Sequence, residues 1–194
     1  EQSKTLLHKC KEEICTTDEL AMDPAGTRLA VGTSGGDIYV WELPTGKQLH
    51  LLKGHTDMMS SLAMSPDGKQ LASSASDGTL RLWDLATGRQ EKVIKMDRWK
   101  AWQMAFTPSG KVLAAAGSDG MVHQWRMPSA EPMPPLKVGE ELTRSLAISP
   151  DGKLLATAGA DDHTRLWQLE TGKLLHTYKI GHAAEDMVNA LTFI

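Results

Sequence analysis

Four tryptophans, Trp41, Trp83, Trp125 and Trp167, stand at a constant step of 42 residues along the chain. Pro24, Pro66, Pro108 and Pro150 keep that step, and so do the turn glycines Gly26, Gly68, Gly110 and Gly152. Three residue types held in one register leave almost no room for insertions between units. A fixed period of this size marks an array, in which each unit buries its faces only by stacking on its neighbours.

The unit is clearest in residues 54–89, GHTDMMSSLAMSPDGKQLASSASDGTLRLWDLATGR. Short runs, MMSSLAM, KQLASSA and LRLWDL, followed by RQEKVIK, are punctuated by SPDG, SDGT and ATG, whose residue types build tight turns. The runs are too short for lasting helices, and Leu71, Leu80, Leu82 and Trp83 suit a half-buried pleated surface. The pattern predicts an all-β chain of four-stranded antiparallel meanders.

The Gly-His pair at 54 and 55, the SPDG turn and Leu-Trp-Asp at 82–84 recur in order, and on these residues the chain resembles the WD-repeat family over essentially its whole length. The wording of the turns is similar to that of bacterial members. The resemblance implies a β-propeller of four-stranded blades, predicted at 20–52, 59–95, 101–137 and 143–180. Residues 1–19 would be the outer strand and loop of a preceding blade, and 181–194 the start of a following one. That is about four and a half units, whereas propellers close with typically about 4 to 8 blades. The expectation is therefore a segment of a larger ring, completed by further chain or by other subunits; the opening at Glu1 agrees with a trimmed piece.

The resemblance also changes how the polar residues are read. His55, Ser73 and Asp77 would suggest nucleophilic catalysis if met alone. In WD-repeat blades the equivalent positions, with Trp83, form a buried hydrogen-bond chain from carboxylate to imidazole to hydroxyl to indole. The first blade has Val31 and Gly35 at the Ser and Asp positions. The third keeps Asp119 and Trp125 but has Asp97 for the histidine and Ala115 for the serine, and the fourth keeps Thr157, Asp161 and Trp167 with Gly139 for the histidine. The proline-rich stretch 126–135, RMPSAEPMPP, is expected as an irregular connection.

A binding surface is predicted from the innermost strands. Their apolar residues follow a three-step and then a two-step, as in Met59, Leu62 and Met64, so one residue must bulge from each strand. By register the bulged residues are Asp18, Ser60, Trp102, Arg144 and Asn189, a mixture of chemistries that suits recognition. The neighbouring loops add Met58 and Met59, and Arg98, Trp99 and Lys100; Trp and Arg are the types that most often carry binding energy. Trp99 has a competing role, which is to plug the gap left by the missing histidine of its blade.

The remaining composition narrows the function. A net charge of −3, from 21 basic and 24 acidic residues, lacks the basic footprint of a nucleic-acid binder. No apolar run has the length of a membrane span and EQSKTLLHKCKEE is not a signal sequence, so no membrane partner and a cytoplasmic location are expected. Cys10 and Cys15 are expected as free thiols, and with His8 they offer too few ligands for zinc; no metal and no cofactor are expected. Chemistry at the channel mouth would need converging acids or bases, and the bulge row supplies only Asp18. The sequence thus points to a non-enzymatic scaffold that binds a protein or peptide partner. The alternative is a regulatory or sensor propeller fused to a catalytic domain, such as a kinase, outside these residues.

Overall fold

The structure, a computed structural model, describes residues 17–139, 142–179 and 191–193, the side chains of residues 17 and 18 excepted. Sixteen strands are described, in four antiparallel sheets, each a simple meander in sequence order. The first sheet holds β1 (Thr17–Met22), β2 (Arg28–Thr33), β3 (Ile38–Glu42) and β4 (Lys47–Leu52). The second holds β5 (Met59–Met64), β6 (Gln70–Ala75), β7 (Thr79–Asp84) and β8 (Arg89–Lys95). The third holds β9 (Ala101–Phe106), β10 (Val112–Gly117), β11 (Met121–Arg126) and β12 (Glu131–Lys137). The fourth holds β13 (Thr143–Ile148), β14 (Leu154–Gly159), β15 (His163–Gln168) and β16 (Lys173–Lys179). Two compact units result, divided between Ile94 and Lys95.

Within the first unit, β1 and β2 pack on β5. Ala30, Ile38, Val40 and Leu52 of one sheet bury with Leu62, Leu71, Trp83 and Leu85 of the next. The second unit repeats the scheme, with Ala114, Ala116, Val122 and Val138 clustered with Leu146, Leu155 and Trp167. Ala30, Ala72 and Ala114, small residues at equivalent positions of three sheets, are each fully buried.

One position differs sharply in exposure between the sheets. Leu62 is 7% exposed and Leu146 2%, but Leu20, at the same place in the first sheet, is 64% exposed, and Met22 beside it is 59% exposed. The outward β1 face is apolar and uncovered among the described residues.

The turns repeat one electrostatic device with different residues. In the second and fourth sheets Ser65 and Ser149 each hand a hydroxyl hydrogen to the aspartate two positions on, and that carboxylate accepts a backbone N–H from Lys69 or Lys153. In the first sheet the carboxylate has moved into the serine position, where Asp23 accepts from the Thr27 and Arg28 backbone and from the Thr27 hydroxyl.

The proline-rich stretch corrects an expectation. Residues 131–137 are strand β12, paired with β11 so that Pro132 stands opposite Trp125. β12 is the outermost strand of its sheet, and there a residue without an N–H costs no ladder bond on its solvent side. The turn before it is irregular, with Ala130 in the left-handed region at φ 50°, and the pairing slips by one residue between Val122 and Gln124.

Candidate functional site

The second sheet carries the full polar chain. Trp83 Nε1–H donates to Ser73 Oγ at 2.8 Å, Ser73 donates to His55 Nε2 at 2.8 Å, and His55 Nδ1–H donates to Asp77 at 2.9 Å. Asp77 also accepts the Thr79 hydroxyl, the Thr79 N–H and the Thr56 N–H. This ordering requires a neutral imidazole, because Nε2 must accept. Burial, which penalises the imidazolium, outweighs the help of Asp77 and lowers the His55 pKa below its ordinary 6.5. Burial works against Asp77 too, but hydrogen bonds from Thr79 and His55 overcome it and lower the carboxyl below 3.8. A buried serine with both lone-pair and hydrogen engaged between indole and imidazole has no freedom to attack a substrate, so the triad-like composition does structural work.

Where the loop histidine is absent, the aspartate finds a partner inside its own sheet. In the third sheet His123 Nε2 meets Asp119 at 2.9 Å, and in the fourth Arg165 donates to Asp161 at 2.6 Å. Both partners stand at the position of Arg81 in the second sheet and of Tyr39 in the first. At Asp161 burial again opposes ionisation, and the Arg165 bond and charge outweigh it. Thr157 keeps the indole tie to Trp167 at 2.9 Å. This column of strand residues escaped the sequence reading, although its 42-residue spacing from Arg81 to His123 to Arg165 was there to be seen.

Trp99 occupies the space freed in the third sheet. Its ring lies flat on His123, centroids 3.8 Å apart and 8° from parallel, with Trp125 6.1 Å beyond. Gly117 sits beneath it, and a Cβ there would collide with Asp119. Trp99 is half-buried, and Arg98 and Lys100 on either side are exposed.

The innermost strands are bulged at the expected places. Register shifts fall between Thr17 and Glu19, between Met59 and Ser61, and between Thr143 and Ser145, and in the third sheet Ala101 and Gln103 oppose successive residues of β10. The extra residues are Asp18, Ser60, Arg144 and Trp102. In the second unit two of these meet: the Arg144 guanidinium lies over the Trp102 ring, 5.5 Å from its centroid. Trp102 Nε1 is buried and has no hydrogen-bond partner among the described residues. Beside it Gln103 crosses to β13, accepting from Ser145 Oγ–H at 2.8 Å and Leu146 N–H at 2.9 Å, a tie between strands that no motif announces.

In the first unit Ser60 is half-buried and Met58 is 51% exposed. Met59 departs from its expected place among the contact residues: it is 3% exposed and packs in the core against Gly32, because the bulge turns its neighbour outward and leaves it facing in. Asn189 and the two cysteines lie outside the described residues. Among the described residues no group of three or more His, Cys, Asp or Glu could hold a metal ion, and no helix is long and apolar enough to cross a membrane.

Repeated four-stranded meanders, each with its tryptophan on the third strand and all but the first with an aspartate (Asp77, Asp119 or Asp161) in the turn before it, are the blades of a repeat-type β-propeller. The family profile of the WD domain, G-beta repeat, matches residues 46–84 and 92–126. That of the anaphase-promoting complex subunit 4 WD40 domain matches residues 125–194. The chain belongs to the WD-repeat family. It is also 42% identical over 55 residues to the probable serine/threonine-protein kinase PkwA of Thermomonospora curvata. That alignment takes in 26% of this chain and spans only 7% of the length of the relative.

Proposed function

We propose that the chain is a non-catalytic interaction module, whose bulged strand mouths receive a protein or peptide partner. The observation that carries this reading is the Trp102–Arg144 pair, two large side chains released from the sheet ladder and stacked on each other beside an indole N–H with no acceptor among the described residues. Arg98, Trp99 and Lys100 flank the pair in sequence, and Met58, Ser60 and Asp18 hold the corresponding positions of the first unit. Trp99 has one ring face committed to His123 and is half-buried, so it contributes the part of its ring left exposed. Rigid strands already hold these groups, so docking costs little ordering entropy. The test is a partner's affinity for Trp102→Ala and Arg144→Ala: a loss of about tenfold or more in either is expected of a binding centre, and unchanged affinity in both removes the site.

We further propose that residues 20–52, 59–95, 101–137 and 143–180 act as four blades within a larger ring. The exposed Leu20, whose equivalents Leu62, Met104 and Leu146 are buried, and the exposed Met22 beside it support a covering blade from further chain or another subunit.

A second reading is favoured by the likeness to PkwA, whose name describes a kinase. In it the propeller is a regulatory or sensor domain attached to a catalytic domain outside these residues. The intact mass of the source polypeptide separates the two: a chain no longer than one ring of blades excludes the fusion.

A further inference from the structure

The half-buried Trp99 is held by a residue of another strand, and that contact bears on how a partner meets it. We infer that His123 is a positioning residue for partner binding: it sets the Trp99 ring, at the centre of the connection 96–100, in the orientation that a partner protein or peptide reads. The inference rests on the docking reading above and concerns the Trp99 side of that surface.

Three contacts build the device. The Asp119 carboxylate meets His123 Nε2 at 2.9 Å, which fixes the plane of the imidazole. The Trp99 indole lies face to face on that plane, 3.8 Å away and 8° from parallel, and Trp125 stands 6.4 Å from the same imidazole. Gly117 leaves the room for this, because a Cβ there would crowd both Asp119 and Trp99. The two ends of the connection are held by other means. Met96 is 4% exposed, the Lys100 N–H goes to Ser118 Oγ at 2.9 Å, and the Lys100 carbonyl accepts the Ser118 N–H at 3.0 Å. The path of the chain therefore has its own anchors, and the stack decides where the indole points. A ring fixed before a partner arrives spares the cost of ordering it on docking.

The two positions also change together from sheet to sheet. Where the third sheet has Trp99 and His123, the second has Asp57 and Arg81, and the fourth has Glu141 and Arg165. Arg81 turns to Thr79 and Gln90, and Arg165 to Asp161. The imidazole does two things at once: it bonds the turn aspartate, as Arg165 does, and it offers a flat face to an indole.

The experiment is selection of a random-peptide phage library on the full-length protein, followed by affinities and association rates of the enriched peptides as synthetic ligands. Peptides that lose about tenfold or more in Trp99→Ala are the probe. For these, His123→Ala and His123→Gln should each weaken binding about tenfold, mostly as slower association, because only part of the protein then holds the indole in place. His123→Phe, which keeps a ring and gives up the bond to Asp119, should recover most of that loss. Peptides that need Trp102 and not Trp99 should bind all three variants as they bind the parent, a separation that general loss of structure does not produce. Unchanged binding of the Trp99-dependent peptides in His123→Ala, or a phenylalanine variant no better than the glutamine one, overturns this inference and leaves the docking reading standing. A library whose binders need Trp102 and never Trp99 does the same. Binders indifferent to Trp99, Trp102 and Arg144, or no binders at all, overturn both. If circular dichroism shows that His123→Ala has lost its sheets, the comparison of His123→Gln with His123→Phe carries the test.

Discussion

Ser73 and Thr157 hold equivalent places in two sheets, yet they do different amounts of work. Ser73 joins an indole to an imidazole, while Thr157 meets only an indole. Ser73→Ala strands two buried groups and Thr157→Val strands one. With about 1–3 kcal/mol for each buried group left unmet, the serine change should cost about twice as much as the threonine change, read as the shift in urea midpoint. Equal shifts would mean that His55 is not held through Ser73. The same imidazole gives a pH dependence of definite sign. Its folded pKa lies below 6.5, so on acidification the unfolded chain takes up a proton before the native one, and stability falls as pH drops below 6.5 through the folded value. Asp77, depressed below 3.8, adds a further loss at more acidic pH. Urea titrations at about pH 7.5 and about pH 5.5 should show a decline that is smaller in His55→Gln; a variant with the parental slope would contradict the assignment.

At the scale of strands and turns, the close approach of one sheet to the next loop depends on Gly36. Its φ is 83°, and a Cβ there would lie 2.6 Å from the carbonyl oxygen of His55, a backbone atom that cannot step aside. Gly36→Ala therefore combines left-handed strain with a clash and should cost about 2 kcal/mol or more, measured by thermal or urea unfolding. Gly26 and Gly46 also have positive φ but nothing within 4 Å, so alanine there carries the backbone penalty alone. The elements were largely legible in advance. Turn residues fixed the strand ends, and the three-then-two spacing located the bulges, because both reflect local backbone chemistry. What stayed hidden came from contacts between strands: the switch of Asp119 and Asp161 to His123 and Arg165, the bridge from Gln103, and the edge pairing of the proline strand. Those depend on which side chains meet across a sheet, and no single run of residues records that.

For the molecule as a whole, the constant 42-residue step made the repeat and the fold class readable, since an array repeats its core and its turns together. The candidate site was only half readable. Register placed Trp102 and Arg144 in the bulges, but their stacking and the unmet N–H needed coordinates, and Met59 proved to belong to the core. The uncovered face of β1 yields a prediction at this scale. If another blade covers Leu20 and Met22 in the full-length protein, Leu20→Asp with Met22→Asp should lower its unfolding midpoint strongly, as a buried-core change does. If that face meets solvent, the double change should leave the midpoint nearly where it was.

The exchange of partners at the turn carboxylates has a consequence for how this protein can change over time. In the second sheet the segment ahead of the blade must keep His55, because the blade's own polar chain is incomplete without it. The third and fourth sheets close theirs from within, through His123 and Arg165. The connections entering those two sheets are thereby released from supplying a histidine, although Trp99 and Val138 within them still pack against their sheets. New binding specificities should arise first in those connections, and last at the one that still carries the histidine.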